Sequence, residues 1–300
     1  MTYAAQPVLQ ARASLGEGAI WDSDRSVLYW IDINKNLLHC FDPATGSDGA
    51  VDLGEKPGCV VRRSDKMGGG FVLGLPGKFA TLKDQKFSAE PVPTQFAVIA
   101  TLEENIATNR MNDGKCDPAG RFWCGSMVND FSHPGANLWM LDKDHDLQLK
   151  LSDVTISNGI VWNAAHDTMY YIDTKTNKVD AFNYDNDTGA INNRRTAVVN
   201  SWGGHFDGMT IDSDDNIYVA IWEGSAVRKF NPVSGELLAT IKVPGVKNVT
   251  SCAFGGDKLQ DLFITSAAED ANLEEQPNAG ALFKISLPDC RGLPANQYLG

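Results

Sequence analysis

The sequence has no long apolar run. Nothing in its 300 residues approaches the roughly 18 consecutive apolar positions of a membrane-crossing helix. Its first residues, Met1-Thr-Tyr-Ala-Ala-Gln-Pro, show no basic stretch followed by an apolar one, so no secretory leader is expected. Cysteine is sparse: Cys40, Cys59, Cys116, Cys124, Cys252 and Cys290 fall without a Cys-x-x-Cys spacing. A chain of this length buries about three quarters of its unfolded surface and needs no staples to fold. Basic residues are in deficit, 26 against 38 acidic ones, for a net charge of −12. A surface of that sign repels phosphate backbones and anionic lipid, which argues against nucleic-acid binding and membrane attachment. The expectation is a cytoplasmic protein in a reducing compartment, where the sequons Asn186-Asp-Thr and Asn248-Val-Thr carry no meaning.

Several chemistries lack their motifs. There is no Gly-x-Ser-x-Gly elbow and no P-loop, and Gly16-Glu-Gly-Ala-Ile-Trp lacks the third glycine of a dinucleotide fingerprint. The five histidines show no metal-type spacing, and His205, two residues before Asp207, reads as an ordinary polar residue. Asp142-Lys-Asp-His-Asp begins like a calcium loop, but Leu147 stands where the glycine is required, so a charged hairpin tip is expected. No amphipathic stretch is long enough for a helix.

What the chain does contain is itself, several times over. Glu17-Gly-Ala-Ile-Trp-Asp-Ser-Asp-Arg-Ser-Val-Leu-Tyr-Trp-Ile-Asp aligns with Asn158-Gly-Ile-Val-Trp-Asn-Ala-Ala-His-Asp-Thr-Met-Tyr-Tyr-Ile-Asp and with Asp207-Gly-Met-Thr-Ile-Asp-Ser-Asp-Asp-Asn-Ile-Tyr-Val-Ala-Ile-Trp. A fourth copy starts at Asp113-Gly-Lys-Cys, and weaker ones near Gly58-Cys-Val-Val and Ser251-Cys-Ala-Phe. The apolar runs within each copy are short, rich in Val, Ile, Tyr, Phe and Trp, and bounded by turn residues, as β-strands are. Asp42-Pro-Ala-Thr-Gly and Asn231-Pro-Val-Ser-Gly supply the turn chemistry at equivalent points. Six copies at a period of about 40–50 residues, with four strands each, predict an all-β fold. It is a six-bladed β-propeller of four antiparallel strands per blade, one domain spanning 1–300. Residues 3–12 precede the first copy and are expected to add a strand beside Ala281-Leu-Phe-Lys-Ile, closing the ring. A closed ring has no unpaired edge that demands a partner, so a monomer is expected.

The innermost strand of each blade lines the axial channel. Just before the repeated glycine stand Glu17, Asp113, Asn158 and Asp207. Each alone is an ordinary turn pair. Together they crowd three negative charges into one channel, which is unfavourable unless a cation or a shared proton intervenes. Carboxylate and amide oxygens suit a hard divalent ion such as Ca²⁺, Mg²⁺ or Mn²⁺, and zinc also accepts oxygen donors in sites with open positions.

At these residues the sequence resembles the gluconolactonase, regucalcin and senescence-marker-protein family, which includes luciferin-regenerating enzymes. The resemblance runs through Leu15-Gly-Glu-Gly-Ala-Ile-Trp, Arg110-Met-Asn-Asp-Gly-Lys-Cys-Asp-Pro-Ala-Gly-Arg-Phe-Trp-Cys-Gly-Ser-Met, Ile156-Ser-Asn-Gly-Ile-Val-Trp, Phe206-Asp-Gly-Met-Thr-Ile-Asp and Thr250-Ser-Cys-Ala-Phe-Gly-Gly. It implies a six-bladed propeller that hydrolyses sugar lactones with one divalent metal (Ca, Zn, Mn, Mg or Fe) on its axis. By motif match the metal ligands fall on Glu17, Asn158 and Asp207, with Asp207 also the acid/base residue. Substrate contacts fall on Arg110, Asn112 and Asp130. Animal members usually carry Glu at the last position, and the loop Val128-Asn-Asp-Phe-Ser-His-Pro-Gly-Ala is shorter here, which bears on substrate preference. Two other readings fit the same residues: a phosphotriester hydrolase on the same metal site, and a calcium-binding protein without turnover.

Overall fold

The structure, a computed structural model, describes residues 1–104 and 106–300. Six sheets of short strands form six blades in a ring. The first strands of blades 1 to 6 are Gly16–Asp22, Cys59–Arg62, Asn109–Cys116, Ser157–Trp162, His205–Ile211 and Val249–Gly255. They match the six repeat starts read from the sequence. Each touches the first strands of both neighbouring blades, so these six line the axis. Blades 1 to 4 are four-stranded antiparallel meanders in chain order. The only helical elements among the described residues are two 3₁₀ turns, Asp65–Met67 and Thr174–Thr176.

Ring closure follows the expectation and then goes further. Gln6–Leu9 pairs antiparallel with Leu282–Ser286 as the outer strand of blade 6. The preceding residues, Thr2–Ala4, run parallel to Leu237–Lys242 and add a fifth strand to blade 5. The amide of Ala5 then donates to the Lys242 carbonyl at 2.9 Å. One short segment therefore ties two blades together and covers the open edge of the fifth.

Because each sheet lies between two others, its inner strands are buried on both faces and read as apolar runs, whereas outer strands such as Ile191–Val199 are largely exposed. Phe122–Val128 is buried at every position. Large aromatics fill the wedges between blades: Trp21 of blade 1 stacks on Phe263 of blade 6 at 5.4 Å, and Trp123 of blade 3 meets Trp162 of blade 4 edge-on at 5.7 Å. The final residues cross one end of the channel. Gly292 pairs with Asp212, Tyr298 is buried beside Arg63, and the Leu299 amide donates to the Gly120 carbonyl at 2.9 Å. The opposite end is open.

The repeated glycines have a cause that local turn chemistry does not supply. In blades 1, 3, 4 and 5 the pairing register slips at or beside the acid–glycine or amide–glycine pair, so these pairs sit in β-bulges within the inner strands. In blades 4 and 5 the backbones of adjacent blades also come close there. A Cβ on Gly208 would lie 2.8 Å from the Thr250 carbonyl oxygen, and one on Gly159 would lie 2.9 Å from that of Asp207. Neither backbone atom can yield without moving a blade. Gly208→Ala should therefore destabilise the fold by about 1–3 kcal/mol in urea unfolding. An unchanged midpoint would show that the inner strands are not in this contact.

Candidate functional site

The bulges decide where the channel's polar groups go. Glu17, Asp113, Asn158 and Asp207 are all buried, one from each of four inner strands. At a bulge the following amide loses its ladder partner, and the side chain takes it up. The Gly18 N–H donates to Glu17 Oε2 at 3.0 Å, and the Gly114 N–H to Asp113 Oδ1 at 2.7 Å. Each carboxylate is thus anchored through its own backbone, with oxygen capacity left over.

The charges feel one another across the axis. Burial, and secondarily the charge of Asp113, push the Glu17 carboxyl up to about 8, against the Gly18 amide, Arg110 and Lys115. Asp207 is held well above the usual carboxylate range by burial, then by Glu17 and Asp113, with the Asn158 amide and the Gly208 N–H pulling the other way. Burial pushes the Arg110 guanidinium down, while Glu17, Glu269 and Asp207 push it up.

Asn158 is aimed by its surroundings. Its Nδ2 donates to Thr174 Oγ1 at 3.0 Å, and that hydroxyl donates onward to the Phe206 carbonyl at 2.9 Å. This leaves Asn158 Oδ1 buried with no donor, and Asp113 Oδ2 is in the same position. Buried acceptors are nearly always satisfied, and an unsatisfied one is destabilising by about 1–3 kcal/mol. Two such atoms beside two carboxylates of raised pKa make a setting that a cation relieves. Among the described residues no three His, Cys, Asp or Glu side chains gather closely enough to hold an ion by themselves. The expected set is two carboxylates and one amide.

Arg110 and Asn112 come together as a unit. Arg110 Nη1 donates to Asn112 Oδ1 at 2.7 Å and to the Met111 carbonyl at 3.0 Å. Asn112 Nδ2 donates in turn to the Ser157 carbonyl at 2.7 Å. Both ends of the Asn112 amide are occupied, so it positions the guanidinium. Asp130 is not brought into this group. It is exposed, and its Oδ1 accepts from the Ser132 amide and hydroxyl at 3.1 and 2.6 Å, so it caps its own loop. Its neighbours Asn129 and Phe131 line a cavity of about 470 Å³ that opens beside Arg110. His205 is exposed, with Nε2 3.9 Å from Glu223. Asp142 Oδ1 accepts the Asp144 and Asp146 amides at a hairpin tip.

Some contributors escape a reading of the sequence. Lys115 reaches along the channel to the Met209 carbonyl at 2.9 Å, and its place in Asp113-Gly-Lys could have marked it. Thr174 follows the repeated Tyr-Tyr-Ile-Asp, but nothing local shows that its hydroxyl meets Asn158. Asn34, Lys56 and Glu269 reach the mouth from loops distant in sequence.

Fold and channel together define a six-bladed propeller with an oxygen-lined axial cluster beneath an open cavity. The chain belongs to the SMP-30/gluconolactonase/LRE-like family, whose model matches residues 15–268. It is 34% identical over 298 residues to regucalcin of Gallus gallus, covering 96% of each chain, and 34% identical over 303 residues to regucalcin of Homo sapiens, covering 98% of this chain and 97% of that one. A solved luciferin-regenerating enzyme superposes with a TM-score of 0.90 at 29% identity, covering 98% of this chain and 99% of that one.

Proposed function

We propose that the channel hydrolyses sugar lactones with one divalent cation held by Glu17, Asn158 and Asp207. The observation that carries this is the pair of donorless buried acceptors, Asn158 Oδ1 and Asp113 Oδ2, beside two carboxylates whose charges oppose one another. The donors are all oxygen, which fits Ca²⁺, Mg²⁺, Mn²⁺, Fe²⁺ or Zn²⁺ in a site with open positions. A divalent ion bound there supplies electrophilic polarisation of the lactone carbonyl and charge neutralisation.

Opening a lactone also needs a base for the attacking water and an acid for the departing ring oxygen. Asp207 serves as both, taking the water proton and returning it as the ring C–O bond breaks. Arg110 orients the substrate through the guanidinium nitrogens that Asn112 does not engage, and the Asn112–Ser157 bond holds it there. Asp130, whose carboxylate caps its own loop, is left out of this machinery. The family description names gluconolactonase, which supports the substrate class.

The test is initial rates on a panel of sugar γ- and δ-lactones, with chelator-stripped protein and each ion returned singly, corrected for spontaneous opening. Ion-restored turnover well above background supports the proposal and ranks substrate and ion together. If an ion binds but no lactone opens, the proposal fails. A phosphotriester run in parallel then separates the other hydrolase chemistry from cation binding alone.

A further inference from the structure

The mouth cavity has a charge balance opposite to that of the chain. The protein carries a net charge of −12, yet this cavity is lined by two cations, Lys56 and Arg110, against one acid, Glu269. Among the described residues, neither cation forms an ion pair with a carboxylate. Lys56 Nζ donates to the neutral Asn34 Oδ1 at 3.3 Å, and Arg110 Nη1 to the neutral Met111 carbonyl and Asn112 amide. Arg62 and Arg121, both buried, are matched with acids, Asp84 at 2.7 Å and Asp117 at 2.6 Å, whereas buried Arg228 donates only to the Trp202 and Gly203 carbonyls. In a chain with acids in excess, two cations without a direct ion pair at one opening, Arg110 feeling Glu17, Glu269 and Asp207 only at a distance, form a feature that suits an anion.

We propose that the preferred lactone carries an anionic group, a phosphate ester or a carboxylate, at the end of its carbon chain away from the ring carbonyl, held by Lys56 at the mouth with Arg110 beside it. This rests on the lactonase reading above and names its substrate class. Ammonium and guanidinium groups donate only, and carboxylate or phosphate oxygens accept, so the match is complete in both charge and hydrogen bonding. A neutral polyol, which donates as often as it accepts, leaves that match half used. Depth sets the direction: Lys56 is exposed at the mouth while Glu17, Asp113 and Asp207 are buried on the inner strands, so the charged end stays at the opening and the uncharged ring is the end that enters. A cavity of about 470 Å³ has room for a six-carbon chain with its terminal anion.

The experiment has two arms on the ion-loaded protein. Calorimetry compares binding of gluconate, glucarate and gluconate 6-phosphate, which needs no turnover. Rates compare the lactones of the same three acids. The proposal expects at least one acid with an anionic tail to bind, and its lactone to open, roughly tenfold better than the neutral-tailed reference, and glucarate and gluconate 6-phosphate distinguish carboxylate from phosphate. Lys56, exposed on a loop, is changed without touching the core: Lys56→Met should lower the anionic-to-neutral ratio by roughly three- to tenfold, and Glu269→Gln should raise it. Equal binding of all three acids, or a ratio indifferent to Lys56→Met, overturns the proposal even if every lactone is hydrolysed. A preference for the anionic tail without turnover keeps the anion-binding mouth and removes the lactonase reading instead.

Discussion

Replacing Asp207 by asparagine should reduce lactone turnover by roughly 10³-fold or more while leaving a folded protein. One carboxylate is asked to move the proton in both directions, and positioned acid–base catalysis alone contributes about 10²–10⁴-fold. Loss of a ligand oxygen's charge from the ion site adds to that. The substitution is nearly isosteric and replaces a carboxyl whose charged form burial, Glu17 and Asp113 already disfavour, so the ion-free variant should be no less stable than the parent. The measurement is kcat on the best lactone at saturating ion, corrected for spontaneous opening, beside a melting curve. Asp130→Asn is the informative companion: this exposed, self-capping carboxylate should change turnover by less than about twofold. If Asp130→Asn abolished activity and Asp207→Asn did not, the assignment of the two acids would be reversed.

Divalent ions should stabilise the protein strongly, and stripping them should both abolish turnover and lower the unfolding midpoint. A ligand that binds only the folded state adds about 2.7 kcal/mol at a hundredfold excess over its Kd. The effect should be carried by the channel: Glu17→Gln should remove most of the ion-dependent shift, whereas Lys56→Met should leave it in place. The same carboxylates give the stripped protein a pH dependence of defined sign. Glu17 and Asp207 hold their protons more tightly folded than unfolded, so their contribution is present below the ordinary carboxylate range. It is lost as pH rises towards about 8, where Glu17 ionises. Stripped protein should therefore weaken across that interval, and a bound ion, which prefers the ionised form, should flatten the slope. Equal denaturant midpoints with and without ion at every pH would exclude a cation site in the channel.

The repeat was the legible part of this molecule. Six copies of an apolar–turn–apolar pattern correspond one for one to six inner strands, because every blade solves the same burial problem with the same residue types. The site followed from the repeat as well: equivalent positions in a ring converge on its axis, so Glu17, Asp113, Asn158 and Asp207 could be placed near one another with no distances in hand. The glycine beside each was legible as a position but not as a cause. It reads as a turn signal, and the structure shows a bulge where, at Gly159 and Gly208, the neighbouring blade leaves no room for a Cβ. Asp130 illustrates the opposite limit. A motif offset locates a residue along the chain, but the direction of its side chain depends on the local donors its loop supplies, and here Ser132 donates to Asp130 through both amide and hydroxyl.

The sequence by itself determined the all-β class, the number of blades, closure by the N-terminal strand and the oxygen donors on the axis. Each of these depends on periodicity or on symmetry, which a linear pattern records. Only the tertiary structure decided the parallel addition of Thr2–Ala4 to blade 5, the engagement of Asn112 with Arg110 and Ser157, the aiming of Asn158 by Thr174, and the meeting of Asn34, Lys56 and Glu269 at one opening. These are contacts between loops or strand ends from different blades. Their geometry is set by how the blades pack around the ring, and nothing in the spacing of residues along one chain encodes which loop ends will face each other across its mouth.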